Sequence, residues 1–94
     1  MDQEKVREVL ATYKKKFEEL KVEKKKLPKE MFGSKYTPVY VMSHCHAMLD
    51  EMEIFIQEGR MDKVFRWLGF IQGCLWTEGV YSLDDLMNQN RPRE

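Results

Sequence analysis

Residues 65–79, FRWLGFIQGCLWTEG, are the part of this sequence that most limits how the chain can fold. When they are placed on a helix at about 100° per residue, their apolar side chains cover nearly every side of it. A helix of this kind is either buried on several faces or paired with a partner. Because the chain has 94 residues, few other elements are available to cover it. We therefore expect a central helix whose surface is the most informative part of the molecule.

A first long helix is predicted over residues 3–24, with Asp2 as its N-cap. Its apolar side chains recur every three or four residues and fall within one stripe about 100° wide. The stripe consists of Val6, Val9, Leu10, Tyr13, Phe17 and Leu20. One face of this helix is therefore expected to be buried.

A second long helix is predicted over residues 38–58, after a loop at 27–37. Thr37 would cap it, Pro38 would take its first position, and Gly59 would end it. The face predicted to lie in the core contains Val41, Met42, Cys45, Met48, Leu49, Met52, Phe55 and Ile56. The opposite face, predicted to be exposed to water, contains His46, Asp50, Glu53 and Gln57.

The central helix is predicted over residues 62–77, with Asp62 as its N-cap and Gly79 as its stop. A short helix over residues 83–90 begins after Ser82, and Asp85 follows three residues later, as in a capping box. The sequence therefore predicts one all-α domain over residues 1–94. It is a small bundle of about four helices: two long, one central and apolar, and one short at the C-terminal end.

The charge is balanced overall but differs between the two parts of the chain. Residues 1–36 carry 11 Lys and Arg against 7 Asp and Glu, whereas residues 37–94 carry 5 against 9. The resulting charges of +4 and −4 favour docking of one part on the other, within a chain or between chains. The zero net charge argues against nucleic acid as a partner.

Cysteine content and hydropathy indicate the compartment. There are two cysteines, Cys45 and Cys74, which we expect to be reduced thiols. No stretch approaches the roughly 18 uncharged apolar residues that a membrane span needs, and charges interrupt the first apolar segment. We therefore expect a cytoplasmic protein with no signal peptide and no membrane contact.

One sector of the central helix lacks apolar bulk, and it contains Arg66, Gly69 and Gly73. Glycine within a helix costs about 1 kcal/mol relative to alanine, so two on one face need a reason. One explanation is close packing against the first helix, the second helix or the same helix of a second subunit. The other is a slot for a planar, nucleotide-like ligand, with Arg66 binding an anion. The candidate interface or binding residues are Phe65, Arg66, Trp67, Gly69, Phe70, Gly73 and Trp76.

Neither a catalytic group nor a metal site can be argued from the residues. The run His44-Cys45-His46 cannot converge on one ion, because adjacent residues on a helix point about 100° apart. Cys45 faces the predicted core, where a thiol is inert. We therefore expect no enzyme activity, no cofactor and no bound metal. His44 lies at the border of the buried stripe, so its charge would make association sensitive to pH.

The ending GVYSLDDLMNQNRP resembles the last part of all-α nucleoside triphosphate pyrophosphatases of the MazG type. That resemblance implies magnesium held by an acidic motif on each of two helices. Asp50 and Glu53 partly match the first motif, but the helix that should carry the second reads FRWLGFIQG and has no acid. Without that carboxylate pair the metal site cannot form, so the likeness covers shape and not chemistry.

A second resemblance is carried by HCHAML, EGRM, FRWLGFIQGCLW and the closing NRP. These segments are similar to small helical proteins of unknown function encoded by tailed phages and prophages. The resemblance implies a small protein made in the cytosol of a bacterial host and acting by binding. Such a protein could block a host defence complex or sequester its signalling nucleotide. We therefore expect a non-enzymatic binding protein that self-associates, most simply as a homodimer.

Overall fold

A computed structural model describes residues 1–28 and 38–92 of the chain. It contains α1 (Gln3–Glu19), α2 (Pro38–Gln57), α3 (Met61–Thr77) and α4 (Leu83–Asn90), with no strand among the residues it describes. The predicted all-α bundle is therefore confirmed. Thr37 and most of the predicted loop at 27–37 lie outside the described residues.

The first three helices end in the same way. In each, the residue two positions past the helix has a positive φ: Lys21 after α1, Gly59 after α2 and Gly79 after α3. The next N–H then donates back to the carbonyl of the third residue from the helix end, as in Val22 to Phe17 at 2.9 Å. This hydrogen bond is the signature of the Schellman motif. The two predicted glycine stops are confirmed.

α1 is shorter than predicted because the motif at Lys21 ends it at Glu19 rather than near residue 24. A lysine in the left-handed region is not a signal that a sequence pattern reveals, since glycine is the usual residue there. The N-cap prediction for α1 is confirmed, as Asp2 Oδ1 accepts from the Lys5 N–H at 2.8 Å.

The predicted N-cap of α3 was wrong. The helix starts at Met61, its N-cap residue is Arg60, and the Arg60 side chain makes no capping hydrogen bond. The turn at Gly59 is so tight that the chain enters α3 at once, which places Asp62 inside the first turn. A carboxylate there still favours the helix electrostatically. The capping box of α4 is confirmed, with both Ser82–Asp85 hydrogen bonds present at 3.0 and 3.1 Å.

The core lies where α1, α2 and α3 meet. α2 and α3 share the largest interface, α1 packs on α2, and α4 lies against α1. The buried face of α1 is the one predicted, except that Leu20 lies beyond the end of the helix and is half exposed. The largest fully buried side chains are Tyr13, Phe17, Met52, Ile71 and Leu75.

Residues 21–28, called the strap below, leave α1 and lie along α2 without helical structure. The Lys25 N–H donates to the Ser43 carbonyl at 3.1 Å. Ion pairs join Lys24 to Asp50 at 3.0 Å and Lys26 to Glu51 at 2.6 Å. The basic N-terminal part of the chain therefore docks on the acidic part within one molecule. Both pairs are exposed, so each contributes at most about 1 kcal/mol.

The strap also overturns the prediction that His46 faces water. This residue is 4% exposed, because its ring lies against Phe17 with the centroids 5.1 Å apart and its Nδ1 is 2.8 Å from the Val22 carbonyl. A helical wheel of α2 cannot show that α1 and the strap cover this side. The second ring nitrogen of His46, Nε2, is buried and has no hydrogen-bond partner among residues 1–28 and 38–92.

Candidate functional site

α3 has one side in the core and one side in solvent. Val64, Leu68, Ile71 and Leu75 are buried. The opposite side, called the outer face below, carries Phe65, Arg66, Gly69, Phe70, Gly73 and Trp76. All six are exposed, so the structure brings six of the seven candidate residues together on one surface.

The outer face is apolar at its edges. Phe65 is 39% exposed, Phe70 is 52% exposed and Trp76 is 51% exposed. Their helical spacing puts Phe65 and Trp76 along one edge and Phe70 along the other. Three large aromatic side chains thus flank a central strip of backbone on a single helix.

The strip between these edges is open. A Cβ atom built on Gly69 or on Gly73 meets no heavy atom of the described residues within 4 Å. The glycines therefore do not serve close packing against α1 or α2, and that part of the first explanation was wrong. Within the part of the chain that the structure describes, nothing fills the space above them, so a second helix or a ligand could.

Arg66 is the only charged group of the outer face, and it makes no hydrogen bond or ion pair with any described residue. It lines an open depression of about 430 Å³ together with Arg60, Lys63 and the carboxylate of Asp62. Arg60 is 3.5 Å from the Glu58 carboxylate, whereas Lys63 lies over the Phe55 ring at 4.4 Å. Three cationic side chains and one carboxylate therefore line the depression at one end of the outer face.

Trp67, the seventh candidate, lies away from the outer face. Its ring packs edge-on against Phe55 with the centroids 4.9 Å apart and the planes at 89°. The Lys26 ammonium lies 5.2 Å above the Trp67 ring and the Lys63 ammonium 5.5 Å from it. Trp67 therefore joins α3 to α2 and to the strap, which makes it part of the fold.

His44 stands at the edge where α2, α3 and the strap meet. The Leu27 N–H donates to its Nδ1 at 2.9 Å, and the Phe70 ring approaches it edge-on at 6.3 Å. Partial burial lowers the pKa of His44, the Lys26 charge lowers it further, and Glu51 opposes the shift. Sequence reasoning placed His44 at a border, but only the fold shows that the border is shared with the strap.

The two cysteines lie against each other between α2 and α3. Hydrogen bonding with Cys74 and burial raise the pKa of the Cys45 thiol. A thiol with a raised pKa is a poor nucleophile, so Cys45 fits a packing role. Their contact was not predicted, because the helical pattern gives each cysteine a face but not a neighbour.

The described residues also bear on metal binding and on membrane insertion. Residues 1–28 and 38–92 contain no cluster of three or more His, Cys, Asp or Glu side chains able to hold a metal ion. None of the helices in the same ranges has the length and hydropathy of a membrane span.

Comparison of this chain with protein-family models, with curated proteins and with solved structures gives no match.

Proposed function

We propose that this protein is a non-enzymatic binding protein that acts through protein contacts made by the outer face of α3. The observation that carries the proposal is the open strip at Gly69 and Gly73 between exposed aromatic side chains. Two helix-interior glycines weaken the isolated helix, and nothing within the described chain uses the space that they leave. A partner that packs against this strip would explain why two glycines stand at these positions of the helix.

The shape of the outer face favours a helix as the docking element. Small-molecule sites are concave and bury most of their ligand, whereas this face is one side of a single helix. A strip of small residues lets a second helix approach closely, and aromatic side chains beside it add buried area. Aromatic and arginine side chains also dominate the binding energy at many protein interfaces.

A second copy of this chain is the simplest partner. In an antiparallel crossing centred between the two glycines, Gly69 lies opposite the partner subunit's Gly73. Arg66 is then level with the partner subunit's Trp76 along the crossing, because these two residues are equally far from that centre. They stand on opposite sides of the glycine strip, so the arginine has to reach across it to lie over the tryptophan ring, which is a favourable cation–π arrangement. Such a contact would make the face complementary to itself, as a two-fold dimer requires.

The resemblance to phage-encoded proteins supplies the context of the proposal. A small binding protein made in a bacterial host would act there as an accessory factor, for example by blocking a host defence or regulatory complex. The outer face would then bind a host protein directly. Alternatively, the outer face would form the dimer, and the host protein would bind the surface that the dimer leaves exposed.

The mass of the assembly in solution tests the contact. We expect light scattering at micromolar concentration to give at least the mass of two chains for the unchanged protein. Gly69→Leu fills the strip and should give the mass of one chain. Ala11→Leu adds similar bulk to the exposed side of α1 and should leave the assembly unchanged. A single-chain mass for the unchanged protein would remove the self-association part of the proposal.

Capture from a bacterial host lysate tests the contact with other proteins. A host protein that binds the unchanged chain and Ala11→Leu, but not Gly69→Leu, supports the outer face as its site. Binding that survives Gly69→Leu and Trp76→Ala would place the contact elsewhere and contradict the proposal.

A second candidate function is the binding or sequestration of a nucleotide-like ligand. It is favoured by Arg66, which makes no ion pair with the described residues and lines a depression with Arg60 and Lys63, where three cations outnumber the single carboxylate of Asp62. A phosphate could bind these cations while a planar base stacks on Phe65 or Phe70.

Thermal unfolding with a panel of mono-, di- and cyclic nucleotides tests this candidate. A ligand that binds only the folded chain raises its melting temperature. Arg66→Gln should remove that increase, and Arg91→Gln, at an exposed arginine after α4, should not. If no member of the panel shifts the melting temperature, nucleotide binding is excluded.

A further inference from the structure

Two histidines of α2 hold the strap, and they do so with opposite hydrogen-bonding roles. His46 Nδ1 is 2.8 Å from the Val22 carbonyl, and His44 Nδ1 is 2.9 Å from the Leu27 amide nitrogen. A carbonyl can only accept and an amide N–H can only donate. His46 therefore carries its hydrogen on Nδ1, whereas Nδ1 of His44 must be bare.

Protonation affects these two hydrogen bonds differently. A doubly protonated imidazole is a donor at both nitrogens. His46 would keep its Nδ1–H and could still donate to Val22. On His44, a proton at Nδ1 would face the Leu27 N–H, so an acceptor would become a second donor. The hydrogen bond at residue 27 is therefore compatible only with a neutral His44.

The groups around His44 come from three elements. The strap contributes the Lys26 ammonium, α2 contributes the Glu51 carboxylate, and α3 contributes the uncharged Phe70 ring. Lys26 and Glu51 are themselves paired at 2.6 Å, so each weakens the effect of the other on the ring. Partial burial then remains as the largest influence, and it favours the neutral ring while the strap is docked.

We infer that His44 is an acid-sensitive latch: its neutral ring holds the strap on α2, and protonation releases the strap at Leu27. Once the strap has moved, the Leu27 N–H no longer faces Nδ1. The released form of His44 can therefore carry a proton on both ring nitrogens, with water as the partner of Nδ1. The other contacts of the strap do not depend on this proton, since Lys25 donates to a backbone carbonyl and His46 keeps its donor. The end of the strap nearest His44 should therefore open first.

The sign of the effect follows from the docked state. Docking lowers the pKa of His44 below its ordinary value of about 6.5, so His44 binds the proton more readily when the strap is released. The stabilisation of the docked strap is complete above this ordinary pKa. It is lost as the pH falls from there through the lower pKa of the docked state.

Hydrogen exchange followed by NMR on the full chain tests the latch. The Leu27 amide should be protected near about pH 7.5 and should lose that protection by about pH 5, while α3 amides stay protected. His44→Asn places an amide oxygen near the position of Nδ1, and this acceptor does not titrate. In that variant the Leu27 protection should not depend on pH. Equal pH dependence in the two proteins would overturn the proposal.

The tautomer of His44 gives a second test that needs no substitution. Nitrogen chemical shifts of the imidazole should show hydrogen on Nε2 and none on Nδ1 at neutral pH, and the opposite for His46. The titration of His44 should coincide with the loss of Leu27 protection. Hydrogen on Nδ1 of His44 at neutral pH would refute the latch even if His44→Asn failed to fold.

Discussion

Gln72 of α3 and Asn90, the last residue of α4, exchange two hydrogen bonds through their side-chain amides. The Gln72 Nε2 donates to Asn90 Oδ1 at 2.6 Å, and the Asn90 Nδ2 donates back to Gln72 Oε1 at 3.2 Å. Tyr13 of α1 extends the pair: its hydroxyl accepts from Gln72 Nε2 at 3.0 Å and donates to Gln89 Oε1 at 2.7 Å. This network positions the short α4 against both α1 and α3.

Tyr13→Phe should destabilise the protein by about 1–3 kcal/mol, because Gln89 Oε1 loses the hydroxyl that donates to it and Gln72 Nε2 keeps only Asn90 as an acceptor, both in a partly buried place. Urea unfolding measures the loss. Tyr81→Phe is the control. The Tyr81 ring lies beside that of Tyr13, but its hydroxyl makes no hydrogen bond with the described residues, so its removal should change stability little. Equal effects of the two substitutions would contradict the role given to the network.

Alkaline pH should destabilise the fold through the same tyrosine. Burial raises the pKa of Tyr13 to about 12, although the hydrogen bond from Gln72 opposes the shift. The unfolded chain then loses this proton more readily, so stability is complete below about pH 10 and falls as the pH rises towards 12. Unfolding by urea between pH 8 and about 11 should show the fall. The decrease in the free energy of unfolding with rising pH should be smaller in Tyr13→Phe.

Lys21→Gly should stabilise the protein by about 1 kcal/mol. Lys21 has a φ of 57°, a conformation that costs non-glycine residues roughly 1–2 kcal/mol, and the greater flexibility of glycine in the unfolded chain offsets part of the gain. Thermal unfolding and urea unfolding both measure this gain in stability. Lys14→Gly is the matched control within α1, where glycine should cost about 1 kcal/mol. A loss of stability in Lys21→Gly would mean that the lysine side chain stabilises the turn.

Gly73→Ala should stabilise the isolated chain by up to about 1 kcal/mol, because alanine is the better helix former and its Cβ meets nothing within 4 Å. Unfolding at submicromolar concentration separates this gain from any effect on association. Gly79→Ala is the contrasting variant, since Gly79 has a φ of 71° and alanine there is strained. A less stable Gly73→Ala chain at high dilution would show that this glycine already serves a contact within the molecule.

Local patterns were sufficient for the elements of the fold. Asp2, Pro38, Gly59 and the Ser82–Asp85 pair act on backbone within three or four residues, so the sequence alone reveals them. The buried stripe of α1 could be predicted in the same way, because helical spacing determines which side chains share a face.

Sequence patterns were insufficient where a distant segment decides the environment. The helical wheel of α2 predicts that His46 faces water, and this is wrong because Phe17 and Val22 cover it. Trp67 is a candidate interface residue by its size and helix, and the structure adds that Phe55 and Lys26 hold it on a different side of α3 from the other candidates. Neither contact has a signature in the spacing of one helix.

The sequence by itself determined the four helices found among the described residues, and it showed that one sector of the third carries two glycines and an arginine. Helical period, caps and glycine stops are local, and they require no knowledge of how the helices pack. Only the tertiary structure decided that this sector faces solvent and that the strap lies across α2. Burial depends on which distant surfaces meet, and so does the hydrogen-bonding role of each histidine. A periodic pattern gives each side chain a direction but not a neighbour.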